Sequence, residues 1–235
     1  MIQSSRFRIL PQPTDVSCGP TCLHALYGYY GDLVDLDKVI QSVGQLKDGG
    51  TLAVMLGNHA LKRGYRATIY TYNLHVFDSS WFEPGVDLNA KLKEQAAHKT
   101  SIRLKQATRA YLDFISLGGE IKYKILTAGL LSRFLEKGIP ILTGLSATYL
   151  YGTKREIGET NTYDDIKGEP AGHFVVISGM DAEGTQVTIA DPLASNTIQP
   201  DKHYYKVDIQ RVINAILLGI VTYDANLLII ERKTE

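Results

Sequence analysis

The stretch from Gly172 to Ala190 constrains the fold more than any other part of the chain. Gly172-His173-Phe174-Val175-Val176-Ile177 is an apolar, β-branched run and reads as a buried strand. Asp181, Glu183 and Gly184 supply a turn, and Thr185 to Ala190 reads as the returning strand, ending at Asp191-Pro192. Two such runs joined by a tight turn pair as an antiparallel hairpin. Further strands are expected at Tyr204–Val207 and Asn226–Ile230, with a helix at Ile209–Leu218 between them. The early chain is helical instead. Thr14 to Tyr30 reads as a helix entered through a Pro-rich turn, with Leu23, Leu26, Tyr27 and Tyr30 at helical spacing and Gly31 as its stop. Asp35–Val43 is a second helix, and Thr51 is expected to cap a third that runs to Arg63 before Gly64. Strands are expected at Tyr65–Tyr72, Glu120–Ile125 and Ile139–Leu145, and a helix capped by Thr127 should end at Gly138. Helices first and an antiparallel sheet later argue an α+β fold.

Two segments stand apart. Asp87 to Leu117 is rich in Lys, Glu, Gln and Ala and reads as one or two exposed helices, an insertion on a single domain spanning 1–235. Ser146 to Gly172 has little apolar periodicity and runs directly into His173, which points to a substrate-facing loop or lid.

Charge excludes several function classes. Lys plus Arg and Asp plus Glu each number 25, so no basic face for nucleic acid or an anionic membrane is expected. The apolar run Ala215–Val221 is too short to span a bilayer. Arg6 and Arg8 have no apolar stretch behind them, since Pro11 and Pro13 follow, so the N-terminus is not a secretory signal. A cytoplasmic location follows as the expectation. The only cysteines, Cys18 and Cys22, lie one helical turn apart and fit no zinc framework, so free thiols and no metal or cofactor are expected. The sequence is silent on oligomeric state.

Chemistry concentrates on a few residues. Cys18 opens the first helix, where the helix N-terminus favours a thiolate. Gly19 leaves room for a substrate carbonyl, and Pro20 lacks an N–H where none is needed. Cys22 reads as a small buried packing residue, with a resolving thiol as the alternative. Gln12, six positions before Cys18, can donate to an oxyanion together with the Cys18 backbone N–H. His173 opens the buried strand and is the candidate base; Gly172 beside it should line the substrate groove. The other histidines, His24, His59, His75, His98 and His203, read as structural or solvated. Asp191 ends the returning strand, and the hairpin should bring it to His173, where it can fix the tautomer of the ring.

Gln12-Pro-Thr-Asp-Val-Ser-Cys18-Gly-Pro-Thr-Cys-Leu, Gly172-His173-Phe-Val-Val-Ile-Ser-Gly and Ile189-Ala-Asp191-Pro192 together resemble the papain superfamily. More narrowly, they resemble the bacteriocin-leader-processing peptidases and their stand-alone relatives. The resemblance implies a papain-like fold, with Cys18 as nucleophile, His173 as base, Asp191 as orienting acid, Gln12 as oxyanion donor and a peptide or protein as substrate. Exporter-fused members usually carry Asp just before the Cys, where this chain has Ser17. Three readings stay open on these residues: a cysteine peptidase, an amidase, deamidase or transglutaminase-like acyl transferase, and a non-catalytic peptide-binding module.

Overall fold

One seven-stranded sheet organises the chain, in the order β2-β1-β9-β3-β6-β7-β8. The computed structural model describes residues 7–46, 49–158, 160 and 162–233; Met1–Arg6, part of the stretch read as no secretory signal, lie outside them. In chain order come α1 (Cys18–Tyr29), α2 (Leu36–Ser42), α3 (Ala53–Lys62) and β1 (Tyr65–Thr71). Then follow α4 (Leu88–His98), α5 (Ile102–Ser116), β2 (Glu120–Lys122), α6 (Ala128–Leu135), β3 (Ile141–Ser146) and α7 (Ala147–Tyr151). The last part holds β4 (Glu156–Ile157), β5 (Thr162–Tyr163), β6 (Gly172–Met180), β7 (Gln186–Ala190), β8 (Tyr204–Asp208), α8 (Ile209–Leu218) and β9 (Asn226–Arg232). All neighbours in the large sheet are antiparallel except β1 and β2.

The apolar run of β6 has a physical reason. Phe174 and Val176 face a core built with Leu23, Leu26, Leu56, Phe114 and Leu228. Val175 and Ile177 face the opposite core, with Leu131, Leu145, Val212 and Ile216. A strand covered on both faces has no polar side to show. Burying these four side chains contributes about 6–12 kcal/mol, so the end of β6 that carries His173 is held firmly. β6 pairs with β7 as the expected hairpin, Val176 opposite Ala190 and Ile177 opposite Ile189, with a bulge before Gly179.

Entry into α1 is built locally. The Ser17 hydroxyl donates to Thr14 O (2.7 Å) and accepts from Thr14 N (3.0 Å). The helix therefore starts at Cys18 rather than Thr14, and it leaves through Gly31 at φ +73°. Thr127 caps α6 by accepting from Leu130 N (3.1 Å), as expected.

Several expectations need correction. Thr51 does not cap α3; Leu52 holds that position without a side-chain cap, and the Thr51 hydroxyl donates to Gly44 O (3.4 Å). The 87–117 stretch does form two helices, capped by Asp87 and Ser101, but α5 is not an exposed helix. Leu104, Ala107, Tyr111 and Phe114 are buried against α3. Gly57 and Gly119 make room for the Phe114 ring: a Cβ on either would lie 2.5–2.6 Å from it. The strand expected at 120–125 shortens to β2, the parallel partner of β1. Ser146–Gly172 is not structureless, because it holds α7 and the β4–β5 ribbon. Nor is the sheet confined to the late chain, since β1, β2 and β3 join it and β9 inserts between β1 and β3.

Candidate active site

α1 packs across the start of β6, and Gly19 permits the approach. A Cβ on Gly19 would sit 3.2 Å from Leu56 and from Phe174. Glycine at this position thus serves the packing of α1 on Leu56 and Phe174. Cys18, one residue earlier, is a partly exposed free thiol. It opens with His173 onto a cleft of about 450 Å³. Gly172 lines the same cleft, and a Cβ there would strike Thr222 at 2.6 Å. Glu169 and Pro170, at the end of the segment that follows β3, line the rim. A larger hollow of about 820 Å³ lies between α7 and α8 but holds neither Cys nor His.

His173 lies opposite Leu145 in the β3–β6 register and is nearly buried. Its Nε2–H donates to Asp191 Oδ1 at 2.9 Å. The Cys18 thiol lies close enough to the ring to favour its charged form, and with Nε2 turned to Asp191, Nδ1 is the nitrogen left to face the sulfur. Burial opposes a charge on this ring, but the Asp191 carboxylate and its hydrogen bond, with Cys18 adding to them, push the pKa up to about 10. That shift favours the imidazolium, the form suited to stand beside a thiolate.

Asp191 is fully buried and held from all sides. Oδ1 accepts from His173 and from Leu193 N (2.8 Å), and Oδ2 accepts from Tyr151 (2.7 Å) and Tyr205 (2.5 Å) hydroxyls. Burial pushes its carboxyl up, yet the His173 charge and these hydrogen bonds hold it below the usual range. The backbone is fixed as well: Asp191 N donates to His203 O (2.8 Å), and His203 Nδ1 bonds Asp191 O (2.7 Å).

Gln12 is tied beside this strand end, its N–H donating to Pro192 O (2.9 Å). Its side-chain Nε2 donates to Thr14 O (3.1 Å) and does not line the cleft. An amide carries two N–H groups, so one remains. Cys22 is fully buried and donates to Phe174 O (3.3 Å); burial, then the charges of Cys18 and Asp191, push its thiol well up. It packs as a neutral thiol. His59 is a hydrogen-bonded packing residue, within 2.7 Å of the Tyr27 hydroxyl and 2.9 Å of Ser42.

Three residues escaped the sequence reading. Tyr151 and Tyr205 hold Asp191, and Asp224 lines the cleft. Burial pushes the Asp224 carboxyl up to about 8, against the Arg103 charge and a Thr222 hydrogen bond. Its neighbours Tyr223 and Ala225 both take positive φ, +69° and +61°, a strained loop at a cleft. Among the described residues no group of His, Cys, Asp and Glu could hold a metal ion, and no helix is long and apolar enough to cross a membrane.

The family model described as the Peptidase_C39 like family matches residues 4–215, most of the chain. This chain belongs to that family. The C39-like chain also overlaps a solved putative C39-like peptidase from Bacillus anthracis at 16% identity and a TM-score of 0.54, covering 99% of this chain and 98% of that one. The peptidase domain of Streptococcus ComA, a bifunctional ABC transporter involved in quorum sensing, overlaps at 14% identity and a TM-score of 0.46, covering 97% and 99%. No curated protein matches significantly. The Bacillus overlap speaks to the fold, and at such identity to the fold alone. This C39-like fold is α+β and papain-like, with the helix that opens at Cys18 laid on a mainly antiparallel sheet.

Proposed function

We propose that this C39-like protein is a cysteine peptidase with Cys18 as nucleophile, His173 as general acid and base, and Asp191 as the orienting anion. The observation that carries the reading is the imidazole that bonds Asp191 at 2.9 Å and opens, together with the Cys18 sulfur, onto one cleft. The Cys18 thiolate attacks the scissile carbonyl carbon, forming the C–S bond and an oxyanion. The Cys18 backbone N–H is assigned to that oxyanion, and the Gln12 amide joins it by turning its Nε2 from Thr14 O into the cleft. One such donor is worth about 2.7–4 kcal/mol in the transition state. His173 gives its proton to the departing amine as the C–N bond breaks, leaving a thioester. The neutral ring then takes a proton from water, whose oxygen attacks the thioester, and the carboxylic acid leaves as Cys18 regains its thiolate. The peptide substrate lies along the cleft past Gly172 and Glu169.

Digestion of a defined pool of synthetic peptides, read by mass spectrometry, tests this. New amino termini are expected from the wild type and none from Cys18→Ala or His173→Ala, both with unchanged circular dichroism. Undiminished cleavage by Cys18→Ala would overturn it. Ammonia release without new amino termini would turn the reading toward amide-side-chain hydrolysis.

A further inference from the structure

A carboxylate that only orients a histidine needs one good hydrogen bond, and Asp191 accepts four. Two come to Oδ2 from phenols on separate elements, Tyr151 at the end of α7 and Tyr205 in the edge strand β8. We propose that Tyr151 and Tyr205 are positioning residues of the Cys18–His173 pair, locking Asp191 as an anion with Oδ1 turned to the imidazole. This rests on the cysteine-peptidase reading above.

The argument is electrostatic. Asp191 is wholly excluded from solvent, and a bare buried carboxylate relieves its cost by taking a proton. The most acidic proton in contact with it is on His173 Nε2. Moved to Asp191, it would leave a neutral ring that no longer stabilises a thiolate. Hydrogen bonds to the charged form of a carboxylate oppose that transfer. The two phenols saturate Oδ2, and Leu193 N shares Oδ1 with the ring, so the carboxylate neither rotates nor protonates. Both phenols keep their own protons. Burial first, and then the Asp191 charge, push each well up. They therefore stand as donors to the Asp191 carboxylate.

The placement explains α7. Ser146 pairs with Gly172 across β3–β6 and caps α7, accepting from Tyr149 N (3.3 Å). The short helix therefore starts beside His173 and delivers Tyr151 back to it, the two rings 6.2 Å apart. Leu150, fully buried, anchors the turn. The charged and titratable groups around Asp191 and the phenols are His173 from β6, Cys18 and Cys22 from α1, His203 on the backbone of Asp191, and Glu156, which acts on the His173 ring and is itself faced by Asp15.

The test is the pH dependence of Cys18 alkylation by iodoacetamide, located by peptide mass spectrometry, in the wild type, Tyr151→Phe, Tyr205→Phe and the double variant. Phe keeps the ring and removes only the donor. The acid limb is expected to move up by about one pH unit per hydroxyl, about tenfold in rate below the limb, with circular dichroism unchanged. Limbs superimposed on an activated wild-type profile would overturn the proposal and leave the peptidase reading standing. A wild type that alkylates only as an ordinary thiol would overturn both. Should Tyr205→Phe fail to fold, Tyr151→Phe on its peripheral helix decides the matter alone.

Discussion

Replacing Asp191 with Asn removes one charge and almost no volume, and the structure sets the size of the effect. His173 is pushed up to about 10 from its ordinary 6.5 against the pull of burial. At about 1.36 kcal/mol per pH unit, that is about 5 kcal/mol favouring the charged ring. In Asp191→Asn only burial and the Cys18 contact remain, so the ring should titrate near or below 6.5 and lose its charge at neutral pH. Stability follows with a definite sign. A raised imidazole contributes fully below 6.5, and its contribution fades as pH rises to about 10. A lowered carboxyl contributes above its ordinary 3.8 and loses its contribution as pH falls. The variant should therefore be about 3–5 kcal/mol less stable near pH 6, and the gap should close toward pH 10. NMR titration of the His173 ring and urea unfolding at the two pH values read both effects. A ring that still titrates near 10 in Asp191→Asn, or near 6.5 in the wild type, would refute the reasoning.

Other outcomes follow from the same structure. Asp224, with its carboxyl raised to about 8, contributes fully below its ordinary 3.8 and loses that contribution as pH rises from there to about 8. Asp224→Asn should gain in melting temperature over the wild type between pH 5 and pH 9, and parallel curves would contradict this. Gly57→Ala gains about 1 kcal/mol of helix propensity but drives a Cβ to 2.6 Å from the buried Phe114 ring. Overpacking costs about 1–3 kcal/mol, so urea unfolding should show a net loss with cleavage per folded molecule unchanged. Cys22→Ala should lose about 1 kcal/mol of stability and keep full cleavage, since the thiol is buried and neutral.

How much of this was legible in the sequence depends on the range of the interaction. The β6–β7 hairpin was legible because a short turn fixes which strands pair, and the nearness of His173 to Asp191 follows from it. The Thr127 cap and the Gly31 stop are local chemistry and could be read, whereas the helical reading began at Thr14 because the Ser17–Thr14 turn that delays α1 to Cys18 left no plain mark. Periodicity assigns faces but not partners. Nothing in Asn226–Arg232 says that this strand slots between β1 and β3. The buried side of α5 was masked by its Lys, Gln and Arg, most of which lie on the outer face, while Arg103 turns inward to Thr222 O. Thr51 looked like a cap because the helix begins one residue later than its side chain suggests. Gln12 shows the limit for side chains: its spacing to Cys18 was readable, its bond to Thr14 O was not. Tyr151, Tyr205 and Asp224 carried no local signal, since each acquires its role only when distant elements meet.

Intact-mass analysis of the protein quenched in acid during turnover of a cleaved peptide is the most direct probe of covalent catalysis. The expected spectrum carries an acyl fragment on the Cys18 peptide, released by hydroxylamine as a thioester and absent from Cys18→Ala. Turnover with no adduct on Cys18, continuing unchanged in Cys18→Ala, would contradict the role assigned to that sulfur.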